Sequence, residues 1–146
     1  MVDFEELKIG NLLEYQRKLA CVVELELEGN SLKIQCRINE KHMTEDTLKA
    51  DNAELKQIDL SKAIIEAMGL AKMKEGYCLP KANATRMLCE GEEGYYIGLS
   101  NTDRSQSPIH LTKEFTGFHY LQNAYYFIYG KEMPNFADEI WRCCYR

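Results

Sequence analysis

The sequence contains no long apolar run, and this absence argues against a membrane-spanning helix. A transmembrane helix needs about 18 consecutive apolar residues, and no stretch of the 146 residues approaches that length. The opening residues, Met-Val-Asp-Phe-Glu-Glu, are acidic and lack the apolar segment of a secretion signal. We therefore expect a cytoplasmic protein with no membrane partner.

The sequence also lacks a surplus of basic residues. Its 18 lysines and arginines are outnumbered by 23 aspartates and glutamates, which gives a formal net charge of -5. Proteins that hold a nucleic-acid backbone usually carry a basic surplus, so we do not expect general affinity for nucleic acid. A local basic patch on an N-terminal barrel would need Arg17, Lys18, Lys33 and Arg37, and the neighbouring glutamates oppose it.

Recognisable metal and disulfide patterns are absent as well. The six cysteines form no Cys-x-x-Cys pair, and the three histidines have no spacing typical of zinc ligands. Four of the cysteines lie in apolar, strand-like runs, where a reduced thiol behaves as a small hydrophobic group. Cys143 and Cys144 are adjacent near the end of the chain, and we interpret them as two incidental thiols. No metal, cofactor or disulfide is predicted.

No catalytic motif is present. The sequence has no nucleophile elbow, phosphate-binding loop or His-Glu-x-x-His segment. The residue types that a hydrolase would need occur only separately, as Ser100, Ser105, Ser107, His110 and His119. We interpret His119 as an exposed polar residue or as the partner of a nearby carbonyl group. The protein is therefore predicted not to be an enzyme.

The clearest pattern that is present predicts an amphipathic helix near the C-terminus. Phe118, Leu121, Tyr125 and Ile128 have the spacing of a single helical face. Gly130 suits the left-handed residue that often follows a helix, and Gly69 suits the same position after a shorter helix upstream. One last helical turn is predicted at residues 136–141. The short strands predicted upstream need the amphipathic helix to cover one of their faces.

Short strands account for most of the preceding sequence. Residues 23–27 and 32–38 alternate apolar and polar side chains, as strands with one wet face do. Four or five such strands in residues 1–58 predict a small SH3-like barrel or a curled antiparallel sheet. Ser61 suits the N-cap of a short helix that follows.

A second antiparallel set of strands is predicted between this short helix and the C-terminal helix, with strands at 77–80, 85–90 and 95–99. The fold class is therefore α+β. We expect one compact domain over residues 1–146, with a barrel-like part (1–58) and an α+β part (59–146).

The segments at residues 7–15 and 119–132, with Ile58–Ser61 between them, resemble a family of small proteins common in Bacteroidetes genomes, their prophages and gut phages. Residues 7–15, Leu-Lys-Ile-Gly-Asn-Leu-Leu-Glu-Tyr, are similar to the family's L-R-I-G-N-L-V-x-Y opening. Residues 119–132, His-Tyr-Leu-Gln-Asn-Ala-Tyr-Tyr-Phe-Ile-Tyr-Gly-Lys-Glu, are similar to its H-x-L-Q-N-L-Y-F-A-L-T-G-E-E helix. Between them, Ile58–Ser61 resembles the family's I-P-L-T, although Asp59 replaces the proline. The resemblance implies an origin in phage or other mobile DNA and brings no established biochemical activity.

One candidate binding site combines aromatic strands with a polar loop. Arg86, Tyr95 and Tyr96 lie on adjacent predicted strands, and the loop that follows offers amide, hydroxyl and guanidinium groups from Asn101, Thr102, Arg104 and Ser105. Aromatic faces stack on bases, and arginine matches phosphate oxygens. Our first functional hypothesis is therefore immune evasion by sequestering a nucleotide second messenger. A solvated loop beside a core tyrosine is the structural alternative.

A second candidate site is the tyrosine-rich surface of the C-terminal helix. Tyr120, Tyr126 and Tyr129 cannot all face the protein's own sheet, and tyrosine is favoured at interfaces. The alternative functional hypothesis is therefore an inhibitor or adaptor that docks on a host protein, or on a second copy in a twofold dimer. A helix that is buried on all sides is the competing interpretation. Both hypotheses describe a non-catalytic binding protein.

Overall fold

Two antiparallel sheets and three α-helices form the part of the chain that the structure describes. The computed structural model describes residues 2–26, 31–37, 47–81, 85–100 and 107–146. Its elements follow the predicted order of a strand-rich N-terminal part, a short helix, a second strand set and a C-terminal helical region. The predicted α+β class is confirmed.

The first sheet is a curled half-barrel. Its strands are β1 (Leu12–Tyr15), β2 (Lys18–Glu26), β3 (Ser31–Cys36), β4 (Leu48–Asp51) and β5 (Leu55–Lys56). They are all antiparallel to their neighbours, in the order β4-β3-β2-β1-β5. The β2–β3 register shifts between Val22 and Glu24, and such a bulge bends and twists a strand. Of the two predicted forms, the curled sheet is the one that forms.

A two-residue turn joins β1 to β2. Tyr15 pairs with Lys18, and the residues between them, Gln16 and Arg17, have φ angles of 48° and 63°. Positive φ at both central residues is the geometry of a type I′ turn, whose twist matches the flanking strands. Asparagine and glycine are the residues usually found there. Gln16 and Arg17 therefore have a backbone conformation that residues other than glycine and asparagine rarely adopt.

One face of the first sheet packs against the N-terminal segment. Leu13, Leu32 and Ile34 on this face are fully buried, and their alternation along each strand is what the sequence pattern predicted. The N-terminal segment contains a single 3-10 turn, Phe4–Glu6. The buried residues of this cluster are Val2, Leu7, Leu13, Ala20, Val22, Leu32, Ile34, Cys36, Ala50 and Leu55.

A short helix leads to the second sheet. Helix α1 (Lys62–Ala67) begins after Ser61, whose Oγ accepts a hydrogen bond from the Ile64 backbone N at 3.2 Å. Gly69 follows the helix with φ 73°, in the left-handed conformation that the sequence predicted for it. The second sheet contains β6 (Tyr77–Cys78), β7 (Arg86–Glu90), β8 (Tyr95–Leu99) and β9 (Ile109–His110), antiparallel in that order.

Two helices complete the described chain. Helix α2 (Phe118–Tyr129) ends at Gly130, which has φ 69°. Helix α3 (Ala137–Cys144) is longer than the single turn expected from the sequence, and its Ile140 is fully buried.

The main core lies where the three helices meet the two sheets. Three residues of the predicted α2 face, Phe118, Leu121 and Tyr125, are fully buried in it. Leu12 and Leu19 reach this core from the first sheet, and the second sheet contributes Leu88, Tyr95 and Ile97. Apolar side chains from both sheets therefore share one core.

Candidate functional site

The two tyrosines of the predicted ligand site are buried on opposite faces of β8. Successive residues of a strand point to opposite sides of its sheet. Tyr95 belongs to the main core, whereas Tyr96 forms a separate buried cluster with Met87 and Cys89. The Tyr96 ring stacks on His110, with 3.5 Å between ring centroids. The structure does not bring the two phenol rings to one site.

Arg86 lies beside α2 instead. Its guanidinium carbon is 5.5 Å from the centroid of the Tyr129 ring, a distance at which a cation is attracted to an aromatic face. A residue predicted to bind a ligand therefore contacts one predicted to form an interface. Asn101, Thr102, Arg104 and Ser105 lie outside the described residues, and their role stays a prediction.

The predicted interface tyrosines differ in exposure. Tyr126 is 47% exposed, and Lys8 Nζ lies 4.8 Å from its ring centroid. Tyr129 is half-buried, with its ring 4.5 Å from that of Tyr125. The adjacent Phe127 is 89% exposed. Helix α2 thus buries one face and presents aromatic side chains on another, so it is not buried on all sides.

An open groove of about 730 Å³ runs beside this exposed face of α2. Tyr120, Ala124 and Phe127 line it from the helix, at spacings that place them on one stripe. The facing wall is the segment 112–116, between β9 and α2, together with Glu93 from the β7–β8 loop. We call this the α2 groove, and its lining residues are Glu6, Gln57, Glu93, Thr112, Lys113, Glu114, Phe115, Thr116, Tyr120, Asn123, Ala124 and Phe127.

The charges in the α2 groove are mainly negative. Glu6, Glu93 and Glu114 line it, against the single amine of Lys113. Glu114 Oε1 accepts a hydrogen bond from the Glu93 backbone N at 3.2 Å. Because these carboxylates come from three distant parts of the chain, no local sequence pattern predicted them.

A phenol hydroxyl and a glutamate meet at one end of the groove. Tyr120 donates a hydrogen bond to the Glu6 carboxylate. Burial, together with this bond, raises the pKa of Tyr120 to about 12. The hydroxyl therefore stays protonated at neutral pH and keeps the Glu6 carboxylate at the groove wall.

Amide side chains fix the helical wall of the groove in place. Asn11 Nδ2 donates to Asn123 Oδ1 at 2.8 Å, and Asn123 Nδ2 donates to the Glu6 carbonyl at 2.6 Å. Gln122 Oε1 accepts a hydrogen bond from the Leu12 backbone N at 2.8 Å. Asn11 is fully buried, so these bonds replace the ones it would otherwise make with water.

These contacts join the two segments that carry the family resemblance, 7–15 and 119–132. A salt bridge adds to them, with 2.6 Å between Lys8 Nζ and a Glu132 carboxylate oxygen. The resembling residues therefore have a clear structural task, which is to attach the first sheet to α2. Only the Tyr120–Phe127 part of the second segment also reaches the groove.

His119 corrects the interpretation made from the sequence. It is only 1% exposed, and neither ring nitrogen has a hydrogen-bond partner among the described residues. Its ring instead lies against Tyr120, with 4.2 Å between centroids. Burial lowers the pKa of His119 from 6.5 to about 4, so the ring is neutral at neutral pH.

Groups that could act in catalysis have the following surroundings in the described residues. Ser100 Oγ donates to a Glu75 carboxylate at 3.4 Å, and in the described ranges no serine hydroxyl is hydrogen-bonded to a histidine. Over the same ranges, no three histidine, cysteine or acidic side chains are grouped as metal ligands. No described helix is long and apolar enough to cross a membrane.

Comparison of the chain with known protein families, with curated proteins and with solved structures finds no match.

Proposed function

We propose that the protein is a non-catalytic docking protein, of phage or mobile-DNA origin as its resemblance implies, that binds a basic segment of a partner protein in the α2 groove. One observation carries the proposal: an 89% exposed phenylalanine, Phe127, stands at the edge of an acidic groove. Large apolar side chains that are this exposed, next to a concave surface, are typical of interaction sites.

The chemistry of the groove favours a basic and partly apolar segment. Tyr120, Ala124 and Phe127 offer an apolar stripe at helical spacing. Glu6, Glu93 and Glu114 would meet lysine or arginine side chains of the bound segment, and such complementarity steers and orients binding. A host protein with a basic segment fits this surface.

The predicted twofold dimer is less favoured by the same charges. In a twofold interface each groove residue would lie near its own copy or near another groove residue. The acidic residues of two copies would then face each other, with one lysine per copy to offset them, and like charges oppose association. A hetero-partner is therefore the proposed occupant, and a dimer is one outcome of the test.

Nucleotide sequestration remains a hypothesis for the loop that contains Arg104. Tyr95 and Tyr96 are 9% and 5% exposed, so their rings offer little free surface on which a base could stack. The docking proposal is preferred because its residues are exposed and lie in one groove.

Selection from a displayed library of random peptides tests the docking proposal. We expect the wild-type protein to enrich peptides that carry lysine or arginine around an aromatic or aliphatic residue. Their affinity should fall with added salt, because exposed charge pairs are screened. The Phe127→Ala variant should bind these peptides at least about tenfold more weakly, which corresponds to about 1.4 kcal/mol.

Ile109→Ala is the matched control, since Ile109 is a 51% exposed apolar residue on β9 that does not line the groove. It should leave peptide affinity unchanged. Enrichment of acidic peptides, or equal losses in both variants, would contradict the proposal. A concentration-dependent dimer mass in light scattering, abolished by Phe127→Ala, would assign the groove to a second copy instead.

A further inference from the structure

A second concave site lies where the β1–β2 turn meets α3. We propose that this pocket binds the phosphate group of a small molecule whose ring packs against the aromatic wall. The pocket encloses about 210 Å³, and its key residues are Arg17, Lys18, Arg37, Trp141 and Tyr145. It is separate from the α2 groove and does not depend on the function proposed there.

Three cationic side chains from two hairpin ends converge on this pocket. Arg17 is the second central residue of the type I′ turn, and Lys18 begins β2. Arg37 follows β3 directly, and its backbone N donates to the Leu19 carbonyl at 2.8 Å. Three of the four residues that the sequence suggested for a basic patch are thus brought together. The fourth, Lys33, pairs with Glu24 instead.

The charge balance of the pocket is positive. None of the described residues that line it is acidic, in a chain whose net charge is -5. Arg37 forms a salt bridge with Asp138 on α3, and this carboxylate offsets one of the three cations. Arg17 also borders a neighbouring depression that contains Glu14 and Glu54. An oxyanion in the pocket would still be attracted by Lys18 and by Arg17, whose fork of N–H donors matches phosphate oxygens.

Helix α3 supplies the aromatic wall. Trp141 and Tyr145 are one helical turn apart and both are half-buried. The Tyr145 hydroxyl donates to Glu14 Oε1 at 2.9 Å. This hydrogen bond fixes the ring and engages one oxygen of that carboxylate. Complete drug-sized ligands usually occupy 300–1,000 Å³. The smaller volume here suits a phosphate group with a single ring, and a flat aromatic wall is the surface on which such a ring packs.

The backbone conformation of Arg17 also supports this proposal. Its φ of 63° is costly for any residue other than glycine, asparagine or aspartate. Non-glycine residues in such conformations cluster at functional sites, where the side chain matters more than the local strain. Retaining arginine at this turn places its guanidinium at the mouth of the pocket.

The chain carries its own reporter for this site, because Trp141 is its one tryptophan. Titration of the full-length protein with phenyl phosphate should give a saturable change in tryptophan fluorescence. Inorganic phosphate should bind more weakly, since it lacks the ring, and phenol should give no saturable change. Raising the salt concentration should weaken the binding of both phosphates.

Substitutions test the assignment of the cations. Arg17→Gln and Lys18→Gln should each weaken phenyl phosphate at least about tenfold, as expected for loss of a charge-assisted hydrogen bond. Both residues are exposed, so the variants should fold, whereas Arg37 is too deeply buried for a clean test. Lys113→Gln, in the α2 groove, is the matched control and should leave the affinity unchanged.

Isothermal calorimetry should give the same dissociation constants as fluorescence. The proposal is overturned if neither method detects saturable binding of phenyl phosphate at millimolar concentrations. It is also overturned if Lys113→Gln weakens binding as much as Arg17→Gln does. Equal binding of phenol and phenyl phosphate would show an apolar site and would equally exclude a phosphate site.

Discussion

At the scale of single residues, His119 is an ionisable side chain that lies in a buried environment. It is buried and has no hydrogen-bond partner in the part of the chain that the structure describes, and its pKa in the folded state is about 4. The unfolded chain binds a proton to this ring near pH 6.5, whereas the folded protein does not until about pH 4. The contribution of His119 to stability is therefore lost as the pH falls through this window, and no further loss follows below pH 4.

His119→Phe should remove this part of the pH dependence. Between pH 7.5 and 4.5 the wild-type protein should lose about 2–3 kcal/mol more unfolding free energy than the variant does, as the linkage relation gives for this shift. Urea denaturation at both pH values measures the difference. The control is Ile109→Ala, which changes an exposed side chain that has no titratable group and should keep the wild-type slope. An equal change in unfolding free energy between the two pH values for His119→Phe and wild type would refute the neutral, buried state.

At the scale of elements, the contact between β1 and α2 depends on a few polar side chains. Asn11 Oδ1 accepts from the Lys8 backbone N at 2.8 Å, and its Nδ2 donates to Asn123 at 2.8 Å. A fully buried amide with both groups satisfied is costly to truncate, because its partners are left without bonds. Truncation of Asn11 is therefore expected to weaken the attachment of α2 more than the small size of this side chain suggests.

We expect Asn11→Ala to lower the free energy of unfolding by about 2–3 kcal/mol, from two lost bonds and the partners left unsatisfied. Asn52→Ala is a comparison in which one half-buried bond, from Nδ2 to the Val2 carbonyl at 3.0 Å, is lost. It should cost about 1 kcal/mol. Chemical denaturation of both variants provides the measurement, and equal losses would argue against a special role for the β1–α2 contact.

The elements themselves were largely predictable from the sequence because their signals are local. Alternation predicted β2 and β3, the hydroxyl of Ser61 predicted the start of α1, and Gly130 predicted the end of α2. Helix α3 was underestimated because its buried residues, Ala137 and Ile140, lie in its first half, so no buried apolar residue marks its last turn. The curled sheet was one of the two forms predicted from the number of short strands. The bulge between Val22 and Glu24 was not predicted, since it depends on how β2 pairs with β3.

The sites were less predictable than the elements. Tyr95 and Tyr96 are neighbours in sequence, but a strand sends them to opposite faces. The α2 groove joins Glu6, Glu93 and Tyr120, and only the fold brings such distant residues together. Aromatic crowding on α2 did indicate that one of its faces would be free, and Phe127 is on that face.

At the scale of the whole molecule, the shared main core predicts cooperative unfolding. Leu12 and Leu19 of the first sheet pack in the same cluster as Leu88 and Ile97 of the second. Urea transitions followed by Trp141 fluorescence and by far-UV circular dichroism should therefore coincide, as they do for two-state domains. Two separated midpoints would instead mean that residues 1–58 and 59–146 unfold independently.

The bond between Asn11 and Asn123 also has a consequence for synthesis on the ribosome. These residues are 112 positions apart, and translation adds about 5–20 residues per second. Roughly 6–20 s therefore pass between the synthesis of Asn11 and the synthesis of the helix residue that satisfies its buried amide. During that interval the nascent chain exposes Leu12 and Leu19, because the core residues of the later elements that pack against them have not yet been synthesised. Chaperones that bind apolar segments of nascent chains have this period in which to act.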